Sequence, residues 1–122
     1  EGVVLLKRAM RLEPYHPAFF PNTLSLGLMI LGRNEEAEEI ASAVIRSDPD
    51  NIWDRLPALA RLAVINVFKG ETEKAREYVR QMQELSSMLT ISMLRNYVFR
   101  PFADKEFVER YLDGLRQAGL PE

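Results

Sequence analysis

The sequence has no cysteine, one histidine and one tryptophan among its 122 residues. The absence of cysteine excludes disulfides, thiolate metal sites and thiol nucleophiles. No apolar run reaches the roughly 18 residues that a membrane span needs, and no signal peptide is visible. The formal net charge of -2 gives no basic field for nucleic acid or anionic lipid. We therefore expect no nucleic acid partner, no membrane contact by this fragment and a cytoplasmic location.

Few residues suit catalysis or metal binding. His16 lies in a loop between two prolines, where a lone histidine is typical of a solvated turn. The carboxylates Asp48, Asp50 and Asp54 have the spacing of a capped turn, not that of a calcium loop. Neither a glycine-rich phosphate loop nor a Ser/His/Asp set is present. We predict a chain that is not an enzyme and has no catalytic residue, metal or cofactor.

A composition that is 47% hydrophobic suits one domain with a modest core, and its main pattern is an internal repeat. A glycine that ends one helix is followed by a polar residue that can cap the next, by acidic residues and then by a small alanine. The equivalent pairs are Gly32 and Gly70, Asn34 and Thr72, and Ala37 and Ala75. The two glycines are 38 residues apart. Each turn is therefore predicted to join an antiparallel helix pair.

The repeat divides the chain. We predict a half repeat over residues 1–14, full repeats over about 17–50 and 54–87, and capping helices of the same domain over 88–122. Pro21 and Pro57 are expected in the first turns of helices, where no intrahelical amide is lost. Trp53, in the loop before the second repeat, is expected to fold back onto the core. The chain begins with Glu1 inside an apolar stretch, so we expect a fragment of a longer protein.

These positions resemble a tetratricopeptide repeat (TPR). The first full repeat matches at Ser25, Leu28, Gly32, Ala37 and Pro49. The second matches at Ala63, Asn66, Gly70 and Ala75, with Ser87 where proline is expected. The resemblance covers about residues 1–87. It implies an all-α, TPR-like solenoid of antiparallel helix pairs, used for protein–protein interaction.

The C-terminal segment is predicted to form two more helices. One covers residues 88–99, with Ser87 as its cap, and is apolar almost all round, which favours burial on more than one side. After a break at Pro101, Asp104 caps a last helix over about 105–118, and Gly119 ends it. A terminal repeat needs a cover for its apolar face, and this last helix is suited to that role.

The ending Gly114-Leu115-Arg116-Gln117-Ala118-Gly119-Leu120-Pro121-Glu122 carries a second resemblance. It is similar to the C-terminus of bacterial proteins in which a TPR array follows a class III adenylate/guanylate cyclase domain, and Glu122 is then the true C-terminus. Similar tails end proteins with a winged-helix DNA-binding domain. The resemblance implies a regulatory domain in cyclic nucleotide signalling. The alternatives are a transcriptional regulator and a stand-alone TPR adaptor.

In a TPR superhelix, the first helices of successive repeats line the concave face. Spacing maps the following candidates for binding to that face: Phe19, Asn22, Leu26, Met29, Ile30, Ala60, Val64, Val67 and Phe68. The lining is almost wholly apolar and lacks the basic residues with which some TPR domains hold a peptide carboxylate. We expect it to be covered by a protein partner, by a second copy in a homodimer, or by the segment 88–99 of the chain itself.

Overall fold

The computed structural model describes residues 3, 4, 7, 19–47 and 52–122, and of residues 19 and 20 only the backbone. Every regular element in these residues is helical and no strand occurs among them, which confirms the all-α prediction. The elements are α1 (Phe19–Ile30), α2 (Asn34–Arg46), α3 (Ile52–Phe68), α4 (Thr72–Leu85), α5 (Ile91–Met93), a π-helical turn (Leu94–Val98) and α6 (Lys105–Gln117). Val3, Val4 and Lys7 are also helical.

The chain divides into two compact units, Glu1–Arg61 and Leu62–Glu122. The boundary falls inside α3. It therefore differs from the predicted division into repeats and capping helices, which stays a prediction. The following residues, on which some of the predictions depend, lie outside the described residues: His16, Asp48, Asp50, Pro14 and Pro49.

In the first unit, α1 packs against α2 across a tight turn at Gly32. Gly32 has a φ of +79°, in the left-handed region that glycine adopts without strain. Its N–H donates to the carbonyl of Met29 at 3.0 Å, and the N–H of Arg33 donates to that of Leu28 at 2.8 Å. This pair of bonds is the Schellman motif, which satisfies the last free carbonyls of α1.

The turn at Gly70, between α3 and α4, has the same geometry. Gly70 has a φ of +82°. Its N–H donates to the carbonyl of Val67 at 3.0 Å, and the N–H of Glu71 donates to that of Asn66 at 2.8 Å. Each bond has its counterpart 38 residues earlier, so the predicted glycine turns are confirmed.

The helices that follow the two turns bury equivalent positions. In each, the buried residues recur at i, i+4 and i+7, which is one face of a helix. They are Ala37, Ala41 and Val44 in α2 and Ala75, Val79 and Met82 in α4. Both alanines that follow the turns are completely buried, at 0% exposure. The small side chain expected at these two positions is therefore in the core.

The predicted caps of α2 and α4 are wrong. The N-cap residues are Arg33 and Glu71, one position earlier, and neither makes a side-chain capping bond. Asn34 and Thr72 are the first helical residues. The side-chain oxygen of Asn34 is buried and accepts no hydrogen bond. The Schellman bonds fix the backbone at residues 33 and 71, and the helices start directly after it.

The segment around Trp53 also differs from its prediction. It is helical, because α3 begins at Ile52. Pro57 is the sixth residue of α3 and lies inside the helix, not in its first turn. Because proline has no backbone N–H, the helical hydrogen bond from residue 57 to the carbonyl of Trp53 is not formed. Trp53 is 77% exposed, so the expectation that it folds onto the core is wrong.

The helix predicted over 88–99 is present over Ile91–Val98, but its start and its cap are wrong. The helix begins at Ile91, and its cap is Thr90, whose Oγ1 accepts from the N–H of Met93 at 3.2 Å. After one turn it becomes π-helical over Leu94–Val98. The segment is not buried on several sides, because Met88 and Tyr97 are 79% and 82% exposed.

The last helix agrees with its prediction. The carboxylate of Asp104 accepts from the N–H of Phe107 at 2.9 Å and caps α6. At the other end Gly119, with a φ of +107°, closes a third Schellman turn, in which the N–H of Leu120 donates to the carbonyl of Leu115. The apolar face of α6 is buried at Phe107, Val108, Tyr111, Leu112, Gly114 and Leu115.

Candidate functional site

The predicted concave-face residues of the first unit are mostly buried. Asn22, Leu26, Met29 and Ala60 are between 4% and 8% exposed. Ile30 is the exception, with 41% of its surface exposed. Phe19 begins α1, and its side chain lies outside the described residues. Of the candidate binding residues whose side chains are described in this unit, Ile30 is thus the one that is large, apolar and exposed.

In the second unit, the remaining predicted residues differ in exposure. Val64 is fully buried, Val67 is half-buried and Phe68 is 44% exposed. Helix α6 covers Val64, because a Cβ placed on Gly114 would lie 3.2 Å from the Cγ1 of Val64. Glycine at position 114 permits this close approach. The C-terminal helix that reaches the predicted lining in this unit is therefore α6.

A buried polar cluster in the first unit was missed by the sequence analysis. Its centre is Arg61, only 9% exposed, which donates to the carbonyls of Pro57 at 3.3 Å and Asn22 at 3.5 Å. The amide of Asn22 donates to the carbonyl of Asp54 at 2.9 Å, and Ser25 donates to the carbonyl of Asn22 at 2.9 Å. The sequence signal for this cluster is Arg61 itself, which is the one charged residue within the apolar run 56–68.

A cleft of about 750 Å³ opens in the second unit, formed by the π-helical turn, the loop after it and the start of α6. Its volume lies within the range of about 300–1,000 Å³ that is typical of ligand sites. Three of its side chains are cationic and one is a carboxylate. The lining comprises Arg95, Asn96, Tyr97, Phe99, Arg100, Lys105, Val108 and Glu109.

One ion pair lies on the wall of this cleft. The guanidinium of Arg95 donates two hydrogen bonds to the carboxylate of Glu109, each 2.9 Å long. These bonds lower the pKa of Glu109 below its ordinary value and raise that of Arg95. Because the geometry is bidentate, the pair fixes the orientation of Arg95.

The other cations of the cleft are held differently. The ammonium of Lys105 donates to the backbone carbonyl of Arg100 at 2.7 Å, which ties the start of α6 to the preceding loop. Among the residues that the structure describes, no carboxylate pairs with Lys105 or Arg100. The lining therefore carries two cations whose charge is not neutralised by an ion pair.

A smaller cleft of about 390 Å³ lies at the start of α2, lined by residues 32–36. Glu36 accepts hydrogen bonds there from Arg33 at 2.7 Å and from Lys7 at 3.2 Å. Both cations lower the pKa of Glu36, and Arg33 has the larger effect. This arrangement is an exposed ion-pair network at the start of a helix, where a negatively charged side chain interacts favourably with the helix dipole.

Two kinds of site are absent from the described residues. No group of three or more His, Cys, Asp or Glu residues is placed there to hold a metal ion. No helix in those stretches combines the length and the apolar character that crossing a membrane requires. Comparisons of the chain with protein-family models, curated proteins and solved structures found no match.

Proposed function

We propose that this chain is a non-catalytic module for protein–protein interaction, built as a TPR-like solenoid of antiparallel helix pairs with C-terminal capping helices. The observation that carries the proposal is the pair of equivalent turns at Gly32 and Gly70. They share their φ angles, their hydrogen bonds and the completely buried alanine that follows. Repeated helix pairs of this kind form extended surfaces that bind other proteins.

We propose two contact points for a partner, one in each unit, at the end of the first helix of each repeat. Ile30 and Phe68 occupy equivalent positions, 38 residues apart, and are 41% and 44% exposed. Each unit thus presents one large apolar side chain at the same place in the repeat. A partner that contacts these positions would cover both apolar side chains. We take a second copy of the chain as that partner.

Light scattering over a concentration series tests self-association. The molar mass of the wild-type chain is expected to rise from monomer towards dimer with concentration. Ile30→Ser and Phe68→Ser should each shift this rise to higher concentration. Met88→Ser is the matched control, because Met88 is 79% exposed but lies outside the predicted face. A monomer mass at every concentration would refute self-association, and an equal effect of the control would remove the assigned surface.

The resemblance of residues 114–122 supports a further part of the proposal. The module is the C-terminal regulatory region of a bacterial adenylate/guanylate cyclase-like signalling protein that acts in the cytoplasm. The coding sequence upstream of Glu1 tests this directly. A cyclase domain there would carry metal-binding aspartates. A winged-helix domain with a basic recognition helix, or no upstream domain, would refute the assignment.

A further inference from the structure

The cleft formed by the π-helical turn, the following loop and the start of α6 presents hydrogen-bond donors to solvent. Arg100 is exposed and has five N–H donors, and the ammonium of Lys105 has two that are not used by the carbonyl of Arg100. The Arg95–Glu109 pair neutralises itself. A ligand that enters this cleft therefore meets an excess of positive charge and of donors, which favours carboxylate or phosphate oxygens.

The same cleft has an aromatic edge. Tyr97, which lines the cleft, is 82% exposed, and the lining residue Phe99 is buried. Tyrosine and arginine together are enriched where proteins bind proteins, because a tyrosine ring supplies contact area at a low cost in conformational entropy. A ligand with apolar groups between its charges would cover Tyr97.

We propose that this cleft binds an acidic segment of a partner protein. Carboxylates of the segment pair with Arg100 and Lys105, and an apolar side chain between them packs on Tyr97. Charge complementarity selects this occupant, since two unpaired cations face the ligand. A nucleic acid is disfavoured because its continuous run of phosphates would extend past the two cations to Glu106, which is exposed on α6 outside the cleft.

Fluorescence anisotropy tests the proposal on the whole chain. The probe is a fluorescein-labelled octapeptide of alternating glutamate and leucine, and the control peptide has glutamine in place of glutamate. Arg100→Glu is expected to weaken binding of the probe about tenfold, because it replaces an attraction by a repulsion. Lys74→Glu makes the same charge change on an exposed residue of α4 outside the cleft and should alter the affinity by less than about twofold.

Three results would overturn the proposal. The glutamine peptide could bind as tightly as the probe, or Lys74→Glu could weaken binding as much as Arg100→Glu. Inorganic phosphate could displace the probe at concentrations comparable to that of the peptide, which would indicate a site for small anions. Arg100→Gln and a circular dichroism spectrum of each variant separate a change of charge from a loss of fold.

The proposal rests on the interaction function argued above, since both require a protein partner, but the two fail separately. Self-association is measured by light scattering and depends on Ile30 and Phe68. Peptide binding is measured by anisotropy and depends on Arg100. A chain that stays monomeric and binds the acidic probe would refute the first and support the second.

Discussion

Replacing Gly32 or Gly70 by alanine isolates the energetic contribution of the repeated turn. An L-residue in the left-handed region costs about 1–2 kcal/mol. Alanine also lowers the conformational entropy of the unfolded chain relative to glycine. This effect stabilises the folded state by about 0.4–1 kcal/mol and offsets part of the cost. A Cβ on either glycine would meet no atom within 4 Å, so no steric cost is added. We expect each substitution to reduce the free energy of unfolding by about 1 kcal/mol.

Urea denaturation followed by circular dichroism measures this change. The midpoint should fall while the slope of free energy against urea stays constant, because the surface exposed on unfolding is unchanged. Asparagine tolerates the left-handed region better than alanine, so Gly32→Asn and Gly70→Asn should cost less than the alanine variants. Equal losses for Asn and Ala, or very different losses at the two glycines, would refute the assignment of the cost to backbone conformation.

Two further predictions concern the second unit. Gly114→Leu should reduce the free energy of unfolding by about 1–3 kcal/mol, because the added side chain displaces Val64. Denaturation measures it, and Gln117→Leu on the exposed side of α6 is the control, expected to change little. The Arg95–Glu109 pair should stabilise the folded chain fully at pH values above the pKa of glutamate in the unfolded chain, about 4.3. This stabilisation should be lost as the pH falls through the pKa of Glu109 in the folded chain, which the pair lowers. In an NMR titration, Arg95→Gln should raise the pKa of Glu109, and an unchanged pKa would contradict the pairing.

The local turn chemistry could be predicted from the sequence because a few residues determine it. Gly32 and Gly70 take positive φ angles that few other residues adopt, and a helix must end there. Asp104 before a charged and apolar segment also indicates a cap, and its carboxylate accepts the capping hydrogen bond. The helical class and three helix ends follow from such local signals, which act within a few residues.

The misplaced elements depend on contacts that are distant in sequence. The start of the short helix at Ile91 is fixed by the carbonyl of Pro121, which accepts its N–H at 2.8 Å from the far end of the chain. The buried position of Arg61 requires carbonyls from α1 as well as from its own helix. The cationic cleft combines residues of a π-helical turn and of α6, and no local pattern predicts that turn.

The pairing of the chain end with α5 has a practical consequence for protein engineering. The carbonyls of Pro121 and Glu122 accept the N–H groups of Ile91 and Ser92 at 2.8 and 3.0 Å. Removing the last two residues would leave the amides of a helix start without these acceptors. An affinity tag fused after Glu122 would begin directly at this pairing, so a flexible spacer of glycine and serine belongs between them.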